Sequence, residues 1–314
     1  MELPMISLVV IVYNMVKQAE NTIKSLLVDY QREVQSHEYE VIIVENESPN
    51  LLGAVFLQSL PDNFSYYLRK DAEPSPGPAV NFGVQKSKGR HVAILIDGAR
   101  MLTPGAIKNM ILAHKLSDRA VVSIPGYHLG SQLQQDAVES GYGCESERLL
   151  LDSIRWPEDG YRLFEISCLN GSSGLGFFLP ISESNCISMP RQTWYAIGGF
   201  DTRFNLKGGG LINLDFYKRA CEHKGIQHII LPGEGSFHQF HGGITTGGQD
   251  PAARQAYIEA SNQQYLELRG AEYQSPVTNP IYLGEIPTKA QRFVLYSAQK
   301  AMELEGIPNL GKPC

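Results

Sequence analysis

Short β-branched runs alternate with helix-like patterns over the first 125 residues of the chain. The runs predict buried strands at residues 6–12, 40–44, 64–68, 91–96 and 119–124. After the first run, apolar residues recur at helical spacing, at Met15, Ala19, Ile23, Leu26 and Leu27. Strands that alternate with helices in this way predict an α/β fold, with a mostly parallel central sheet flanked by helices. Ligands of such sheets bind at the carboxyl ends of the strands, where we expect the functional side chains.

The pattern weakens between residues 126 and 180, where Gly, Ser and acidic residues become frequent. Just before it, Thr103-Pro104 predicts an N-cap and a first-turn proline for a helix over residues 105–116. Within it, residues 171–176 read GSSGLG, which is typical of a flexible segment. Long irregular segments of compact domains tend to be functional or to act as mobile lids, so we expect an irregular functional stretch here.

Regular patterns return near residue 185 and continue into a helical C-terminal part. They predict strands at residues 185–189 and 226–231, a helix that begins at Pro190 and another near residues 214–223. Asp250-Pro251 predicts the start of a further helix, and an amphipathic helix is marked by Val294, Ala298, Ala301 and Met302. We therefore expect a single α/β domain over residues 1–245 and a helical C-terminal extension over residues 246–314, without internal repeats.

Composition and charge narrow the class of protein. The 314 residues are 43% hydrophobic and 19% charged, and the net charge of −6 without a Lys/Arg run disfavours nucleic acid as a partner. The longest apolar runs fall well short of the ~20 residues that span a bilayer, and the N-terminus lacks a secretory-signal pattern. Five widely spaced cysteines without a C-x-x-C pair suggest neither a disulfide framework nor a thiolate zinc site. We expect a cytoplasmic protein without a membrane span.

The motifs for binding dinucleotides and for P-loop phosphate binding are both absent from the sequence. Dehydrogenase and kinase functions are therefore disfavoured. Polar residues instead follow three of the predicted strands, as Tyr13-Asn14, as Glu45-Asn46-Glu47-Ser48 and as Asp97-Gly98-Ala99-Arg100. Each segment alone is ordinary turn chemistry, but parallel strands bring their carboxyl ends to one edge of the sheet. Their joint placement indicates a binding site.

The ordered set of segments resembles the family 2 glycosyltransferases of the GT-A fold. The resemblance runs over roughly the first 240 residues, through residues 10–14, 41–48, 81–83, 88–89, 94–97, 198–201 and 203–204. It implies that Tyr13, Asn14 and Glu45 contact the base of a nucleotide sugar, and that Asp97 lies beside its ribose and diphosphate. Asn81 and Arg100 complete the set of residues that we expect to bind the nucleotide.

The sequence departs from the family's Asp-x-Asp metal motif, because Ala99 occupies the position of the last acid. One carboxylate remains where Mg²⁺ or Mn²⁺ would normally find two. His238 and His241 form an H-x-x-H pair in a glycine-rich loop and could bind a metal with Asp97, contact the diphosphate directly, or be structural. The charge of the leaving group is then neutralised by that metal or by cationic groups such as Arg100 and Lys207. Gly208-Gly209-Gly210 is either a flexible loop or a nest of N–H groups for an anion.

A second departure concerns the general base. The family's Glu-Asp pair falls here on Ile212 and Asn213, neither of which accepts a proton at neutral pH. Three carboxylates are candidates to replace it, in the order Asp215, Glu183 and Glu234. The alternatives are a helix cap for Asp215, a solvated loop acid for Glu183 and a turn residue for Glu234.

These observations predict a transferase that moves a sugar from a nucleoside-diphosphate donor, with UDP as the first choice, to a hydroxyl of a sugar or glycan acceptor. The resemblance implies inversion at the anomeric carbon. The alternative is a GT-A-like protein that has lost transfer chemistry and binds a nucleotide sugar or a partner enzyme. A nucleotidyltransferase is disfavoured, because no glycine-rich Arg/Lys loop follows the first strand. The C-terminal helices could pair subunits into a homo-oligomer.

Overall fold

The structure is a computed structural model that describes residues 3–243 and 250–306, except for the side chain of Glu305. The strands are β1 (Ile6–Val12), β2 (Tyr39–Asn46), β3 (Phe64–Arg69), β4 (His91–Leu95), β5 (Arg100–Leu102), β6 (Ala120–Ser123), β7 (Gly126–Leu129), β8 (Ser167–Leu169), β9 (Cys186–Pro190), β10 (Gln227–Ile230), β11 (Ser236–His238) and β12 (Ile281–Tyr282). The helices are α1 (Val16–Lys24), α2 (Ala54–Gln58), α3 (Gly77–Lys86), α4 (Ala106–Leu116), α5 (Gln134–Ala137), α6 (Cys144–Ser153), α7 (Arg191–Ala196), α8 (Ile212–Cys221), α9 (Pro251–Arg269) and α10 (Gln291–Glu305). The predicted boundary between residues 245 and 246 lies outside the described residues.

The central sheet has the predicted mostly parallel character. Within the described residues it has eight strands in the order β12-β10-β6-β9-β4-β1-β2-β3. β9 runs antiparallel to both of its neighbours, and the other pairs are parallel. Side chains alternate along β1, so that Leu8 and Val10 pack towards α1 and α4, whereas Val9 and Ile11 pack towards α3 and α8. Two apolar layers therefore cover the two faces of the sheet, as in α/β folds.

A second sheet corrects the expectation of an irregular stretch after residue 126. Its order is β5-β11-β7-β8, and two of its strands, together with α6, come from the segment that was predicted to be irregular. The segment packs around a third apolar core that includes Phe164, Phe237 and Phe293. The period-2 signal was weak because β7 has four residues and β8 three, too few for an alternating pattern to stand out.

The predicted cap of α4 is also wrong. The helix begins at Ala106, after Gly105, and no side chain caps it. The Thr103 hydroxyl instead donates a hydrogen bond to the carboxylate of Glu234, which is distant in sequence. A tertiary partner has therefore replaced the local backbone partner that the Thr-Pro pattern suggested.

The C-terminal part contains both helices that the sequence predicts, and it also joins the central sheet. Asp250 caps α9 as predicted, because its carboxylate accepts a hydrogen bond from the backbone N–H of Ala252. β12 pairs in parallel with β10 at the edge of the sheet, and Phe293 of α10 enters the third core. Among the described residues, no helix is both long enough and apolar enough to cross a membrane.

Candidate active site

The carboxyl ends of β1, β2 and β4 meet at one edge of the central sheet, as the sequence predicts. Val12 of β1 pairs with Glu45 of β2, so the residues after each strand are neighbours. The Asn14 side chain accepts a hydrogen bond from Asn50 Nδ2 at 2.9 Å, which joins the two strand-end loops. Asn14 has a φ of 52°, a conformation that Asn tolerates better than most residues. Tyr13 is 49% exposed beside it, where a planar ligand could stack.

Glu45, predicted to bind the base, lies inside the protein. Its side chain is fully buried and accepts hydrogen bonds from the Tyr66 hydroxyl at 2.7 Å and from the Leu52 backbone N–H at 3.2 Å. Burial raises the pKa of this carboxyl, and the two hydrogen bonds oppose that rise. In this conformation Glu45 shapes the loop that follows β2.

The next residue along β2, Asn46, is one that sequence reasoning did not select. It is 4% exposed, and its Oδ1 has no hydrogen-bond partner. Its partner in the sheet, Arg69 at the end of β3, likewise has a buried Nη1 without a partner. Buried polar groups are nearly always paired. The unpaired acceptor of Asn46 and the unpaired donor of Arg69 therefore mark a position where a polar ligand could bind.

Asn81 has a structural position, although it was predicted to bind the nucleotide. Its side chain donates to the carbonyl of Phe200 at 2.9 Å and accepts from the N–H of the same residue at 3.0 Å. Both polar ends of the amide are thus bound to one backbone unit, and α3 is tied to the Gly198-Gly199-Phe200-Asp201 turn.

Asp97 follows β4 directly and forms a compact unit with Arg100. Its Oδ2 accepts a hydrogen bond from Arg100 Nε at 2.9 Å, and its Oδ1 accepts from the Ala99 N–H at 3.0 Å. Burial works to raise the pKa of Asp97, but Arg100, His241 and these hydrogen bonds outweigh it and leave the pKa below its usual value. Arg100 is 8% exposed, and its Nη1 has no partner. A buried guanidinium with an unused N–H is suited to bind an anion.

Gly98 has a packing role. A Cβ at this position would lie 3.1 Å from the carbonyl oxygen of Ile11 and 3.3 Å from the sulfur of Met15. The glycine therefore lets the turn after Asp97 approach the end of β1 closely.

The structure brings together the three residues that were predicted to bind a metal. One oxygen of Asp97 and one nitrogen each of His238 and His241 lie within 4.8 Å of one another. The Nε2 atoms of the two histidines are 3.1 Å apart. Two nitrogens bound at right angles to one Mg²⁺-like ion, at roughly 2.1 Å each, would be about 3 Å apart. The three side chains are therefore spaced as ligands of a single divalent ion.

The protonation of His238 also suits a metal ligand. Gln134 Nε2 donates to the carbonyl of His238 at 3.0 Å, which fixes the orientation of the amide. Gln134 Oε1 then faces His238 Nδ1 at 2.6 Å, and because this oxygen only accepts, Nδ1 carries the proton. Nε2 is left with its lone pair towards Asp97 and His241, as in many metal sites. Burial, with Arg100 and His241, holds the pKa of His238 well below its usual value, so the ring is neutral.

Neighbouring helices clamp the segment that carries the two histidines. Between them in the sequence, the N–H of Phe240 donates to Glu147 of α6 at 2.7 Å, and its carbonyl accepts from Gln18 of α1 at 2.6 Å. Gln239 donates to the carbonyl of Gln18 at 2.9 Å. These contacts hold the segment against α1 and α6. Sequence reasoning missed Gln134 and Glu147, since no local motif links them to the histidines.

One of the candidate acids, Glu183, contacts Asn213, which the resemblance assigns to the position of the missing base. Glu183 Oε2 accepts a hydrogen bond from Asn213 Nδ2 at 2.6 Å, and its Oε1 accepts from the Ser172 hydroxyl at 2.9 Å. Glu183 is half-buried. β9 pairs antiparallel to β4 with Cys186 opposite Leu95, so the residues just before Cys186 lie at the same edge of the sheet as those just after Leu95. Glu183 and Asp97 therefore share that edge.

The other two candidate acids are engaged elsewhere. Asp215 is 1% exposed and is held by Arg219 at 2.8 Å and by Arg269 at 2.5 Å. Glu234 is 2% exposed and accepts hydrogen bonds from Thr103, Asn109 and Tyr161. In both cases the carboxylate oxygens already have protein partners.

The glycine triplet does not offer the nest of N–H groups that was one of its two interpretations. The N–H of Gly208 donates to the carbonyl of Pro74, that of Gly209 to Leu206, and that of Gly210 to the Tyr257 hydroxyl. Lys207 is exposed, and its carbonyl accepts from the same Tyr257.

The family model described as glycosyl transferase family 2 matches residues 7–159 of this chain. These residues are similar to a glycosyl transferase family 2 domain. The predicted resemblance is thereby confirmed over the matched residues, and it supports the predicted class of enzyme, a glycosyltransferase. No curated protein matches the chain significantly by sequence. The matched residues include Tyr13, Asn14, Asn46, Asp97 and Arg100, whereas the histidines and residues 212–215 lie beyond them.

One solved structure, that of S. aureus TarS, supports the predicted GT-A fold. The crystal structure of S. aureus TarS covers 98% of this chain at 9% identity, with a TM-score of 0.51, and this chain spans 46% of the TarS chain. Another solved structure is that of the mannosyltransferase PcManGT of Pyrobaculum calidifontis in complex with GDP-Man and Mn²⁺. It aligns with 98% of this chain and over 77% of its own chain, at 14% identity and with a TM-score of 0.48. TarS 1–349 in complex with UDP-GlcNAc covers 95% of this chain at 10% identity, and 72% of its own chain is covered, with a TM-score of 0.49.

Proposed function

We propose that this chain transfers a glycosyl group from a nucleoside-diphosphate sugar, in the first instance a UDP-sugar, to an acceptor hydroxyl with inversion at the anomeric carbon. The observation that carries the proposal is the cluster of Asp97, His238 and His241 beside the unused Nη1 of Arg100. Such a group of a carboxylate, two neutral imidazoles and a guanidinium suits a diphosphate with a divalent ion. The similarity to the family 2 domain supports the same chemistry.

On the donor side, Asp97, His238 and His241 would hold Mn²⁺ or Mg²⁺ in place of the incomplete Asp-x-Asp motif. When bound, the ion supplies positive charge that stabilises the departing diphosphate. Arg100 would donate from Nη1 to a phosphate oxygen, and its bond to Asp97 keeps the guanidinium in position. Tyr13, Asn14 and Asn46 would bind the nucleoside at the ends of β1 and β2.

On the acceptor side, we assign the general base to Glu183. The acceptor hydroxyl would give its proton to Glu183, and the oxygen would form the new bond to the anomeric carbon as the bond to the diphosphate breaks. Asn213 holds one carboxylate oxygen and Ser172 the other, so that the acid is oriented for this role. Asp215 and Glu234 remain predictions from the sequence, and because both are almost fully buried whereas Glu183 is half-buried, Glu183 is the better candidate.

Kinetics of three variants tests this proposal. Glu183→Gln is expected to lower turnover by about 10²–10⁴-fold with donor affinity nearly unchanged, because a general base acts in the chemical step. Glu222→Gln is the matched control, because Glu222 is exposed and pairs with Lys218. Donor affinity is measured by thermal shift with UDP, GDP, CDP and dTDP, each with and without Mn²⁺. Parental turnover in Glu183→Gln, with a loss in Asp215→Asn, would move the base to Asp215.

The second candidate function is a nucleotide-sugar-binding protein without transfer chemistry. Ala99 and Asn213 favour it, because both stand where the family has catalytic acids. It predicts nucleotide binding by the parent protein without transfer or donor hydrolysis from any nucleotide sugar. The same assays therefore separate the two functions.

A further inference from the structure

A groove of about 1040 Å³ runs along β8, between α6 and α10. Its floor is formed by Ser167, Cys168 and Leu169 of β8, which is the edge strand of the second sheet and pairs with β7 on one side. A space of this size holds a ligand of many atoms.

Both ends of the groove are connected to the proposed catalytic groups. At one end, Tyr142 lines the groove, and its hydroxyl donates to Glu147, the residue that binds the Phe240 N–H between the two histidines. At the other end, Gly171 and Gly174 line the groove and flank Ser172, whose hydroxyl donates to Glu183. The groove therefore lies between the residues that support the metal cluster and those that orient the proposed base.

The lining of the groove combines hydroxyl and amide groups with aromatic rings. Ser131, Ser146, Ser167 and Asn170 supply the polar groups, and Tyr142 and Tyr296 supply rings at opposite ends. Ser167 is 5% exposed, yet its Oγ has no hydrogen-bond partner. A buried hydroxyl without a partner is uncommon and is satisfied when a ligand brings a polar group.

We infer that this groove binds the acceptor, and that the acceptor is an oligosaccharide. This inference rests on the proposed function, since hydrogen bonds of Glu147 and Ser172 link the groove to groups that we assign to transfer. Sugars present hydroxyls around an apolar ring face, so they match a lining that offers hydroxyl and amide groups beside tyrosine rings and leucine side chains. Gly130 allows the required shape, because with a φ of 105° it lets the Tyr142 ring pack 3.2 Å from where a Cβ would be.

A tryptophan placed in the groove tests the inference. Ser146→Trp fills the groove from α6, and Ser153→Trp is the matched control on an exposed position of the same helix, away from the groove. Binding is measured by saturation-transfer NMR with tetrasaccharides of glucose, N-acetylglucosamine, mannose and galactose. We expect the parent and Ser153→Trp to bind at least one of them. Ser146→Trp is expected to bind that tetrasaccharide at least about tenfold more weakly, because the tryptophan displaces the contacts of about one sugar ring.

Tyr296→Ala gives a second test if Ser146→Trp fails to fold, as judged by its melting curve. Tyr296 is 38% exposed, so its removal is expected to spare the fold and to weaken oligosaccharide binding by about five- to tenfold. Equal binding by the parent and both groove variants overturns the inference, as does a parent that binds none of the four tetrasaccharides. Displacement of the bound sugar by a decapeptide or by acyl-chain micelles, but by no second oligosaccharide, assigns the groove to another occupant.

Nucleotide binding keeps this test separate from that of the proposed function. If the parent binds a tetrasaccharide but no nucleoside diphosphate, the proposed transfer fails while the groove assignment stands. If it binds UDP with Mn²⁺ but no tetrasaccharide, the groove assignment fails alone.

Discussion

At the scale of single residues, the metal-binding role of His241 gives the sharpest prediction. His241→Ala removes one of three ligand atoms that lie within 4.8 Å of one another. Because the remaining pair cannot replace it, we expect Mn²⁺ affinity, measured by electron paramagnetic resonance with UDP present, to fall at least about tenfold. His37→Ala, at an exposed histidine, is the control. Unchanged Mn²⁺ affinity in His241→Ala would show that the cluster is not a metal site.

At the scale of secondary-structure elements, Glu234 joins α4 to the segment before β11. Burial raises its pKa to about 7, against the effect of hydrogen bonds from Thr103, Tyr161 and Asn109. In the unfolded chain its pKa is about 4.3, so between these values the folded state holds a proton that the unfolded state has lost. The free energy of unfolding therefore falls as the pH rises from about 4.3 to 7.

Urea unfolding at pH 5 and pH 8 checks this pH dependence. Glu234→Gln keeps a neutral side chain in the same place, so the decrease in stability from pH 5 to pH 8 is expected to be smaller than in the parent. Glu139→Gln, at an exposed acid, should retain the parental difference. An equal decrease in the parent and in Glu234→Gln would contradict the prediction.

At the scale of the whole molecule, Arg269 of α9 ties the C-terminal part to the α/β domain. It donates to Asp215 at 2.5 Å and 2.8 Å and to Asp201 at 2.8 Å, and Asp215 is buried. Arg269→Met should lower the free energy of unfolding by about 1–3 kcal/mol, because buried carboxylate oxygens lose their charged donors. Arg254→Met, on the same helix, is the control, and equal loss of stability in both variants would show that the Asp215 contact contributes nothing specific.

The arrangement of the central sheet was determined by the sequence to a large extent. β-branched runs and apolar periodicity predicted β1, β2, β4, β6 and β9, because each of these strands is mostly buried and shows a local apolar pattern. They also predicted β3, which is only partly buried. The polar residues at the strand ends predicted the edge of the sheet at which the site lies, because parallel strands bring their carboxyl ends to the same edge. The grouping of Asp97 with His238 and His241 was one of the alternatives that the sequence left open, and the structure brings these side chains together.

Only the tertiary structure decided which polar side chain at a strand end faces a ligand. Glu45 and Asn46 are adjacent and equally polar, yet Glu45 is paired inside the protein and Asn46 retains an unpaired oxygen. Likewise, the sequence does not distinguish the three candidate acids Asp215, Glu183 and Glu234. Their hydrogen-bond partners, in the same order, are Arg269, Asn213 and Thr103, which come from distant segments. Hydrogen bonds between residues far apart in the chain leave no local pattern, so which of several carboxylates stays partly exposed is known only once the chain is folded.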